Sequence, residues 1–546
     1  MTDVPTSPAL DASELATLES LGARRRVSTG DYLYRAGDAA YDFYVVLSGK
    51  VDILLDVDGT EKLLIAHGPG RFLGELNLLT GMRVFVSARV AEPGEVLAVT
   101  IEALRYVIAA YPQLSDKILA TFMARRAELL TGASAAIRVV GSRFSPQLPQ
   151  IRELLTRSRI PHEWLDPEAD PQVDELLRAF HVAPDELPVA IAAGTVLRRV
   201  TPGALAEHLG LTLDRLPERC FDLVIVGGGP AGLAAAVYGG SEGLRTLGVE
   251  AVSPGGQAGT SSRIENYFGF PTGVSGADLT QRGVVQAEKF GAQLSVPCTA
   301  VALREDAGHL VVELSDGTTV MGRAVIAASG AHYRRLDVAR LTEFESKGVF
   351  YAATELEARF CGRSPVVVVG GGNSAGQAAM FLAEQGCGTT VVIRGAALHA
   401  GMSAYLADRL ERHPRITILT GTSVVALTGT DRLTALRLRG PDGETEQPCA
   451  ALFSFIGADP QSGWLSGLAS LDDRGFVLTD RALAEQALDA RWAELGRRPL
   501  SFETSQPGLF AVGDLRSAST KRVAAAVGEG SAAVRSVHDY LAFVNR

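Results

Sequence analysis

Cysteine is scarce in this chain. Five cysteines occur among 546 residues, and none lies in a C-x-x-C pair or at a spacing typical of metal ligands. No cysteine precedes Cys220, so the N-terminal part cannot carry out thiol–disulfide exchange. We therefore predict no metal site and interpret each cysteine as a small buried hydrophobic residue. The five are Cys220, Cys298, Cys361, Cys387 and Cys449.

The chain also lacks a strong excess of one charge and any long hydrophobic run. It has 52 basic and 62 acidic residues, a net charge of -10, and no basic stripe. This balance disfavours nucleic acid and anionic membrane as partners. No apolar run approaches the length of a membrane span, and the N-terminus lacks a basic segment followed by an apolar one. We therefore predict a cytoplasmic protein.

The length of the chain allows several hydrophobic cores. Its 546 residues are 47% hydrophobic and 21% charged, which is typical of ordinary globular domains. A single core rarely extends beyond about 250–300 residues, so we predict about three or four domains.

Residues 221–250 have the sequence of a dinucleotide-binding βαβ unit. A buried strand is predicted over Phe221 to Val226, and it ends at glycines spaced G-x-G-x-x-G. The first glycine permits a tight turn, the second lets a pyrophosphate approach the backbone, and the third lets the helix pack closely on the strand. Glu250, at the end of the next strand, is placed to accept hydrogen bonds from ribose hydroxyls. The predicted nucleotide contacts are Gly227, Gly229, Pro230, Ala231, Gly232 and Glu250.

A second unit of the same kind begins at residue 365. A strand over Pro365 to Val369 is followed by G-x-G-x-x-A and a helix. Ile393 stands at the offset that Glu250 has in the first unit, and Arg394 follows it. Without a carboxylate to repel a 2′-phosphate, and with a guanidinium to attract it, NADPH is favoured over NADH. The predicted contacts are Gly370, Gly372, Asn373, Ser374, Ala375 and Arg394.

Residues 220–546 resemble bacterial thioredoxin reductases. The resemblance rests on the Gly255-Gly256-Gln257 segment, on RIENYFGFPTG, on LFAVGD at 509–514 and on KRVAAAVGEG at 521–530. It implies FAD as the cofactor of the first unit, with Asp514 at its ribityl or phosphate end and Arg522 near flavin N1 and O2. Alone, Asp514 could be a turn aspartate that caps a helix, but the run of matching residues around it disfavours that interpretation. The further FAD contacts implied are Gly256, Gln257, Asn266, Gly513, Asp514, Arg522 and Val523.

The redox-active cysteine pair of that family has no counterpart here. In the family a C-x-x-C follows a G-V-x-Y stretch, whereas residues 348–355 read GVFYAATE. Ala352 and Glu355 stand at the two cysteine positions. Glu355 could serve as a proton donor at the flavin edge. The favoured interpretation of Glu355 is an exposed helix glutamate.

The N-terminal residues predict a β-roll. Short strands divided by glycines cover Asp31 to Tyr34, Tyr41 to Leu47, Lys50 to Leu55, Lys62 to Ala66 and Val84 to Val90, and two helical segments follow within residues 101–130. The sequence of residues 70–90 resembles the phosphate cassette of cyclic nucleotide-binding domains. The resemblance implies a ribose contact at Glu75, next to Gly74, and a phosphate contact at Arg83. The family's Arg-Ala-Ser/Thr is replaced by Arg83-Val-Phe-Val-Ser, so a β-roll kept for assembly or for another effector is an equal alternative.

Residues 136–209 predict a small α/β module in the order βαβαββα. The order resembles glutaredoxin and thioredoxin, whose redox cysteines lie between the first strand and the first helix. Here that turn reads GSRFSP, so we predict a redox-inactive spacer or docking module.

Together these observations predict a multidomain fold. It comprises an N-terminal cyclic nucleotide-binding-like β-roll with helices, a thioredoxin-like module and two Rossmann-like dinucleotide-binding α/β domains. The predicted boundaries are 1–132, 133–215, 216–336 for the first part of the FAD domain, 337–454 for the NAD(P)H domain and 455–546 for the second part of the FAD domain.

The predicted function is that of an FAD-dependent NAD(P)H oxidoreductase without a redox disulfide. The electron acceptor would be a small molecule or a partner protein, the effector a cyclic nucleotide, and the assembly a homodimer. The alternatives are a thioredoxin reductase that uses other cysteines and a redox or cyclic nucleotide sensor with little turnover. A DNA-binding regulator is disfavoured because no recognition helix follows the β-roll.

Overall fold

The computed structural model describes residues 6–57, 60–131, 137–170, 172–192, 195–212, 220–261, 263–264, 266–345, 347–351, 353 and 355–544. The chain divides into two compact units. The first comprises Met1–Gly228, Leu233–Pro254 and Arg282–Val325, and the second comprises Gly229–Gly232, Gly255–Gln281 and Ile326–Arg546.

The first unit begins with a β-roll that is followed by two helices. Its elements are α1 (Ala12–Glu19), β1 (Ala23–Val27), β2 (Tyr32–Tyr34), β3 (Phe43–Val57), β4 (Thr60–His67), β5 (Phe72–Leu73), α2 (Asn77–Thr80), β6 (Ser87–Val99), α3 (Ile101–Ala110) and α4 (Pro112–Thr131). The sheet has the order β1-β6-β3-β4, with β2 paired to β6 and β5 to β3. Phe122 of α4 packs with Phe43 and Phe72 of the sheet, so burial of apolar rings attaches this helix to the roll.

Two expectations for the β-roll are corrected, and one helix was not predicted. The two strands predicted over residues 41–55 are one strand, β3, because Gly49 adopts a φ of +82° and the pairing with β6 continues through register shifts. The strand predicted from Val84 begins at Ser87, because Phe85 turns into another hydrophobic core while Val84 stays in the β-roll core. Helix α1 was not predicted; its start is stabilised by a capping box between Asp11 and Glu14.

The thioredoxin-like module follows in the predicted order. Its elements are β7 (Ile137–Val140), α5 (Leu148–Arg157), β8 (His162–Leu165), α6 (Gln172–Ala179), β9 (Val189–Ala192), β10 (Thr195–Leu197) and α7 (Pro202–Leu209). The sheet order is β10-β9-β7-β8, with β7 parallel to β8 and antiparallel to β9. At the turn after β7, Arg143 Nε donates to Asp166 Oδ2 at 2.6 Å, and the Phe144 ring is exposed.

A third sheet carries the first dinucleotide motif. The elements of this region are β11 (Cys220–Val226), α8 (Pro230–Ser241), β12 (Thr246–Val249), α9 (Gly276–Lys289), β13 (Gln293–Ser295), β14 (Ala300–Asp306), β15 (His309–Leu314) and β16 (Thr319–Ala327). Strands β13, β12 and β11 are parallel neighbours, and β16, β15 and β14 continue the sheet. The short apolar run of β11 is therefore a buried central strand, as its composition predicts.

The second unit contains the second dinucleotide motif. Its elements are β17 (Ala331–Tyr333), α10 (Leu341–Phe344), β18 (Val349–Phe350), α11 (Glu355–Cys361), β19 (Val366–Val369), α12 (Asn373–Glu384), β20 (Thr389–Val392), α13 (Ala404–Arg412), β21 (Ile416–Leu419), β22 (Ser423–Gly429), β23 (Leu433–Gly440), β24 (Gly443–Pro448), β25 (Ala451–Ser454), β26 (Ala458–Pro460), α14 (Ala490–Leu495), β27 (Leu509–Ala511) and α15 (Val523–Val544). A parallel sheet of order β18-β25-β19-β20-β21 holds the motif, and β22, β23 and β24 form a separate antiparallel sheet.

Within the described ranges, no helix combines the length and the apolar character that crossing a bilayer requires.

Candidate functional site

The turn after β11 has the geometry that its glycines predict. Gly227 adopts a φ of +113°, which is readily accessible only to glycine. The Glu250 carboxylate accepts the Gly228 N–H at 2.6 Å and the Val252 N–H at 3.1 Å. These two amides fix Glu250 at the edge of the turn, and its oxygens retain lone pairs for ribose hydroxyls.

Three separated segments pack against one another in the second unit. A Cβ on Gly256 would lie 2.8 Å from Gly229 Cα, one on Gly513 would lie 3.0 Å from Ala231 Cβ, and one on Gly530 would lie 2.0 Å from the Ala231 carbonyl oxygen. The segments at 229–232, 255–257 and 513–530 therefore meet with almost no side chain between them. Gly530 was not among the predicted contacts, although it ends the quoted KRVAAAVGEG motif.

The backbone at Gly229 remains open on its outer side. Counting the atoms of described residues, a Cβ added there would meet one within 4 Å, Gly256 Cα at an ordinary 3.8 Å. Because the protein leaves room for a Cβ at Gly229, the open backbone there fits a site that accommodates a ligand. The cradle formed by these segments thus fits the pyrophosphate of a dinucleotide.

The charged groups around Asp514 include three residues that sequence reasoning missed. Glu529 accepts the Gly513 N–H at 2.8 Å and pairs with Arg516 at 2.6 Å. Lys521 donates to the Asp514 carbonyl oxygen. Burial raises the pKa of the Asp514 carboxyl, while the Lys521 charge opposes that rise. The sequence signal that could have identified these three residues is their charge, because they stand in a run otherwise rich in Gly, Ala and Val.

The remaining predicted flavin contacts differ in their hydrogen bonds, their exposure and their position in the helices. Gln257 donates its side-chain N–H to the Ala331 carbonyl oxygen, within the second unit. Asn266 and Arg522 are exposed, Val523 is the first residue of α15, and Pro230 is the first residue of α8.

The second dinucleotide turn repeats the first. Gly370 has a φ of +145°, and a Cβ there would lie 2.4 Å from the Phe455 carbonyl oxygen. Gly372 precedes α12, and within the described part of the chain a Cβ there would meet only the Gly401 oxygen, at 3.9 Å. Ala375 is buried beneath the turn, and Asn373 accepts the N–H of the loop residue at 403 at 2.7 Å. This turn also retains open backbone where a dinucleotide fits. Ser374, in the first turn of the helix, is exposed.

The end of β20 carries the predicted specificity residue. Ile393 is buried and Arg394 is exposed. His399 follows five residues after Arg394. Its Nε2 atom lies 3.7 Å from Asp408 and 3.4 Å from Glu411. The predicted phosphate contact, Arg394, is an exposed guanidinium at the end of β20, and its role stays a prediction.

The segment at the family's cysteine positions is described in part. Ala353 is buried and α11 begins at Glu355, whereas Ala352 and the Glu355 side chain lie outside the described residues. The prediction for Glu355 therefore stays a prediction. Nearby, Tyr351 donates to Glu345 at 2.7 Å, and burial is the main cause that raises the pKa of its phenol to about 12.

The five cysteines, all of which lie among the described residues, are free thiols. Burial raises the pKa of Cys361 and of Cys449 to about 12, and it also raises the pKa of Cys298 and Cys387. A thiol must ionise to attack a disulfide, so these four are poor redox nucleophiles at neutral pH. Cys220 is half-buried at the start of β11.

In the β-roll, the predicted cyclic nucleotide residues already contact protein groups. Glu75 is 4% exposed and accepts the Phe85 N–H at 3.2 Å and the Asn77 side-chain N–H at 3.1 Å. Arg83 donates to the Gly37 carbonyl oxygen at 2.8 Å. Gly74 has a φ of +131°, and a Cβ there would lie 2.6 Å from a Leu78 methyl group.

The thioredoxin-like module packs against the cassette of residues 70–90. Met82 and Phe85 belong to the hydrophobic core of the module, and the Arg83 N–H donates to the Leu209 carbonyl oxygen at 3.1 Å. A Cβ on Gly210 would lie 2.9 Å from the Gly81 oxygen. These contacts explain why Phe85 does not join the strand that begins at Ser87.

The chain has two dinucleotide-binding motifs, and the glycine turn of each is open to a pyrophosphate. Such a pair of motifs defines a flavin- and pyridine nucleotide-dependent oxidoreductase. Residues 221–530 match the family model of the pyridine nucleotide-disulphide oxidoreductases, and residues 24–111 match that of the cyclic nucleotide-binding domain. The chain belongs to the pyridine nucleotide-disulphide oxidoreductase family.

Individual relatives place the chain with the thioredoxin reductases. It is 32% identical to the thioredoxin reductase of Treponema pallidum (strain Nichols), over 59% of this chain and 98% of that protein. It is 32% identical to that of Streptomyces clavuligerus, over 59% of this chain and 94% of the relative. The crystal structure of Lactococcus lactis thioredoxin reductase covers 60% of this chain and 100% of its own, with 26% identity and a TM-score of 0.53.

These findings confirm the predicted fold class and a thioredoxin reductase-like FAD-dependent NAD(P)H oxidoreductase with an N-terminal cyclic nucleotide-binding domain. FAD and NADPH are the cofactors of the family.

Proposed function

We propose that this protein oxidises NADPH, or NADH, with FAD and reduces an acceptor that is not a disulfide. A quinone, oxygen, another small organic molecule or a partner protein would accept the electrons. The observation that carries the proposal is the GVFYAATE segment at 348–355, which lacks the family's cysteine pair. The proposed setting is the cytoplasm, and the proposed assembly is a homodimer.

The residues of the proposed FAD site have separate roles. The turn at Gly229 and Ala231 would face the FAD pyrophosphate, and Glu250 would accept ribose hydroxyls. The start of α15, with Arg522 and Val523, would place its N–H groups toward the pyrimidine side of the flavin. When bound, FAD supplies hydride acceptance and electron release, which amino-acid side chains do not provide.

The second site would hold the nicotinamide nucleotide. Gly370, Gly372 and the first turn of α12 would bind its pyrophosphate, and Arg394 would attract the 2′-phosphate of NADPH. Glu355 remains a hypothesis for a proton donor, with the exposed helix glutamate still the favoured interpretation.

The main alternative is a thioredoxin reductase that uses other cysteines. The buried high-pKa thiols argue against it, because reduction of a disulfide substrate needs an accessible thiolate.

A thiol count separates the two functions without mutagenesis. We expect five reactive thiols per chain in denaturant, both before and after anaerobic incubation with NADPH, because all five cysteines are free. An enzyme that cycles through a disulfide would gain two thiols on reduction. Such a gain, together with turnover of thioredoxin, would refute the proposal.

Replacing Arg394 tests the proposed nucleotide preference. Arg394→Ala is expected to lower kcat/KM for NADPH by about 10-fold, since one charge-assisted contact to the 2′-phosphate is lost. The value for NADH should change by less than about twofold. Steady-state kinetics with both nucleotides, and with the exposed Arg439→Ala of β23 as a control, provide the measurement. Equal losses for NADPH and NADH would contradict a role in recognising the phosphate.

A further inference from the structure

The thioredoxin-like module contacts the chain on both sides of Glu250. These contacts lie wholly within the first compact unit, which contains the β-roll, the module and strands β11 to β15. The module has no cysteine, so thiol chemistry does not account for its presence in the chain. Its contacts near Glu250 indicate a different role.

The end of α5 holds the loop that follows Glu250. Ser158 Oγ and Ser253 Oγ are hydrogen-bonded at 3.0 Å, and Arg157 Nη2 donates to the Ser253 carbonyl oxygen at 3.4 Å. Ser253 is fully buried, and the N–H of Val252, directly before it, donates to the Glu250 carboxylate at 3.1 Å. The amide that orients one Glu250 oxygen is therefore next to the residue that α5 contacts.

The segment after α7 supports the main chain of Glu250. The Val296 N–H donates to the Leu211 carbonyl oxygen at 3.0 Å. The Glu250 N–H donates to the Ser295 carbonyl oxygen at 3.1 Å, and the Cys298 N–H donates to the Glu250 carbonyl oxygen at 2.7 Å. The backbone of Glu250 is thus fixed by the same short segment that the module contacts.

The end of α7 also contacts the β-roll cassette. The Leu209 carbonyl oxygen accepts the Arg83 N–H at 3.1 Å, two residues before the Leu211 contact. A Cβ on Gly210, between them, would lie 2.9 Å from the Gly81 carbonyl oxygen. Three consecutive residues therefore contact both the cassette and the segment that holds Glu250.

We propose that the thioredoxin-like module positions the Glu250 carboxylate for the ribose of FAD, through Ser158 and through residues 209–211. Ser158 is a positioning residue, because it acts through Ser253 and the loop. Two backbone N–H groups set the direction of the Glu250 oxygens, so a shift of the loop turns their remaining lone pairs away from a ribose hydroxyl. The inference rests on the proposed function, since it assigns the residues that support the FAD ribose contact of that site.

The ratio of two cofactor affinities measures the position of Glu250. FAD and its 2′-deoxyadenosine analogue are titrated into the full-length apoprotein, and the change in flavin fluorescence gives each affinity. Wild type is expected to bind FAD at least about 10-fold more tightly, because the analogue lacks a hydroxyl that Glu250 would accept. Ser158→Ala should lower that ratio by at least about threefold, since the loop loses a hydrogen bond. A smaller change would overturn the proposal.

A matched serine and a Glu250 background separate positioning from a general loss of structure. Ser142→Ala makes the same change at the turn that precedes α5, where Ser142 donates to Glu168 at 2.6 Å, and it should leave the ratio unchanged. A purely structural weakening would lower both affinities equally and would not change their ratio. In a Glu250→Gln background, Ser158→Ala should not alter the ratio; an effect that persists there would contradict action through Glu250.

Gly210→Ala tests the contact with the cassette. Gly210 has a φ of +73°, and the added Cβ would approach the Gly81 carbonyl oxygen to 2.9 Å, so the segment must shift. The ratio of affinities is expected to fall by at least about threefold. Gly30→Ala is the control, because its φ is +91° and its Cβ meets no atom of a described residue within 4 Å. Equal ratios in the two variants would contradict the link between the cassette and Glu250.

The same titrations distinguish failure of this inference from failure of the proposed FAD contact. If Glu250 does not bind the ribose, wild type and Glu250→Gln would show the same ratio, and both the contact and the inference would be wrong. If only the role of the module is wrong, Glu250→Gln would lose the discrimination between FAD and the analogue, whereas Ser158→Ala would keep it.

Discussion

Gly229→Val is expected to give a folded protein that has lost FAD. Among the described residues there is space for a Cβ at this position, since the contact that an added Cβ makes within 4 Å is Gly256 Cα at 3.8 Å. The same space is where a pyrophosphate would approach the backbone. A branched side chain there should weaken FAD binding by about 100-fold or more, about 2.7 kcal/mol. Flavin absorbance of the purified protein and reconstitution with FAD provide the measurement.

Gly203→Ala is the control for this prediction. Gly203 lies in α7 of the thioredoxin-like module, and an added Cβ meets no atom of a described residue within 4 Å. Full flavin content is expected in this variant. Normal FAD affinity in Gly229→Val, with the fold intact by circular dichroism, would contradict the placement of the pyrophosphate at this turn.

Gly372→Val should produce the reciprocal phenotype, with FAD retained and reduction by NADPH lost. Among the described residues, an added Cβ at Gly372 meets the Gly401 oxygen alone, at 3.9 Å, so the turn has room for the Cβ of the new side chain. The nicotinamide nucleotide should then be excluded from its turn. At a fixed subsaturating NADPH concentration, we expect flavin bleaching to slow by about 100-fold.

Photoreduction of the flavin serves as the control for Gly372→Val. It bypasses NADPH and should reduce the variant as fully as the wild type. Unchanged bleaching by NADPH would show that the nucleotide lies elsewhere.

The parts of the fold that could be predicted depend on local sequence. The turns at Gly227 and Gly370 follow from strands, glycines and helices that are adjacent in the chain, and both adopt the positive φ that glycine permits. The missing cysteine pair could be read directly from residues 348–355. The roles of the nucleotide-contact residues stay predictions, to be tested by the glycine and arginine variants.

Other features depend on contacts between distant parts of the chain. Phe85 follows a strand-forming valine, but its burial in the core of the thioredoxin-like module overrides that local preference. Glu529 was missed because its role is to accept the Gly513 N–H from another segment.

Anaerobic stopped-flow spectroscopy tests the central claim most directly. The flavin is reduced with NADPH, and the reduced protein is then mixed in turn with a quinone, with oxygen and with oxidised thioredoxin. The account predicts rapid bleaching by NADPH, reoxidation by a non-thiol acceptor and no reoxidation by thioredoxin, since no cysteine pair stands at 352 and 355. Reoxidation by thioredoxin, or a flavin that NADPH leaves oxidised, would contradict it.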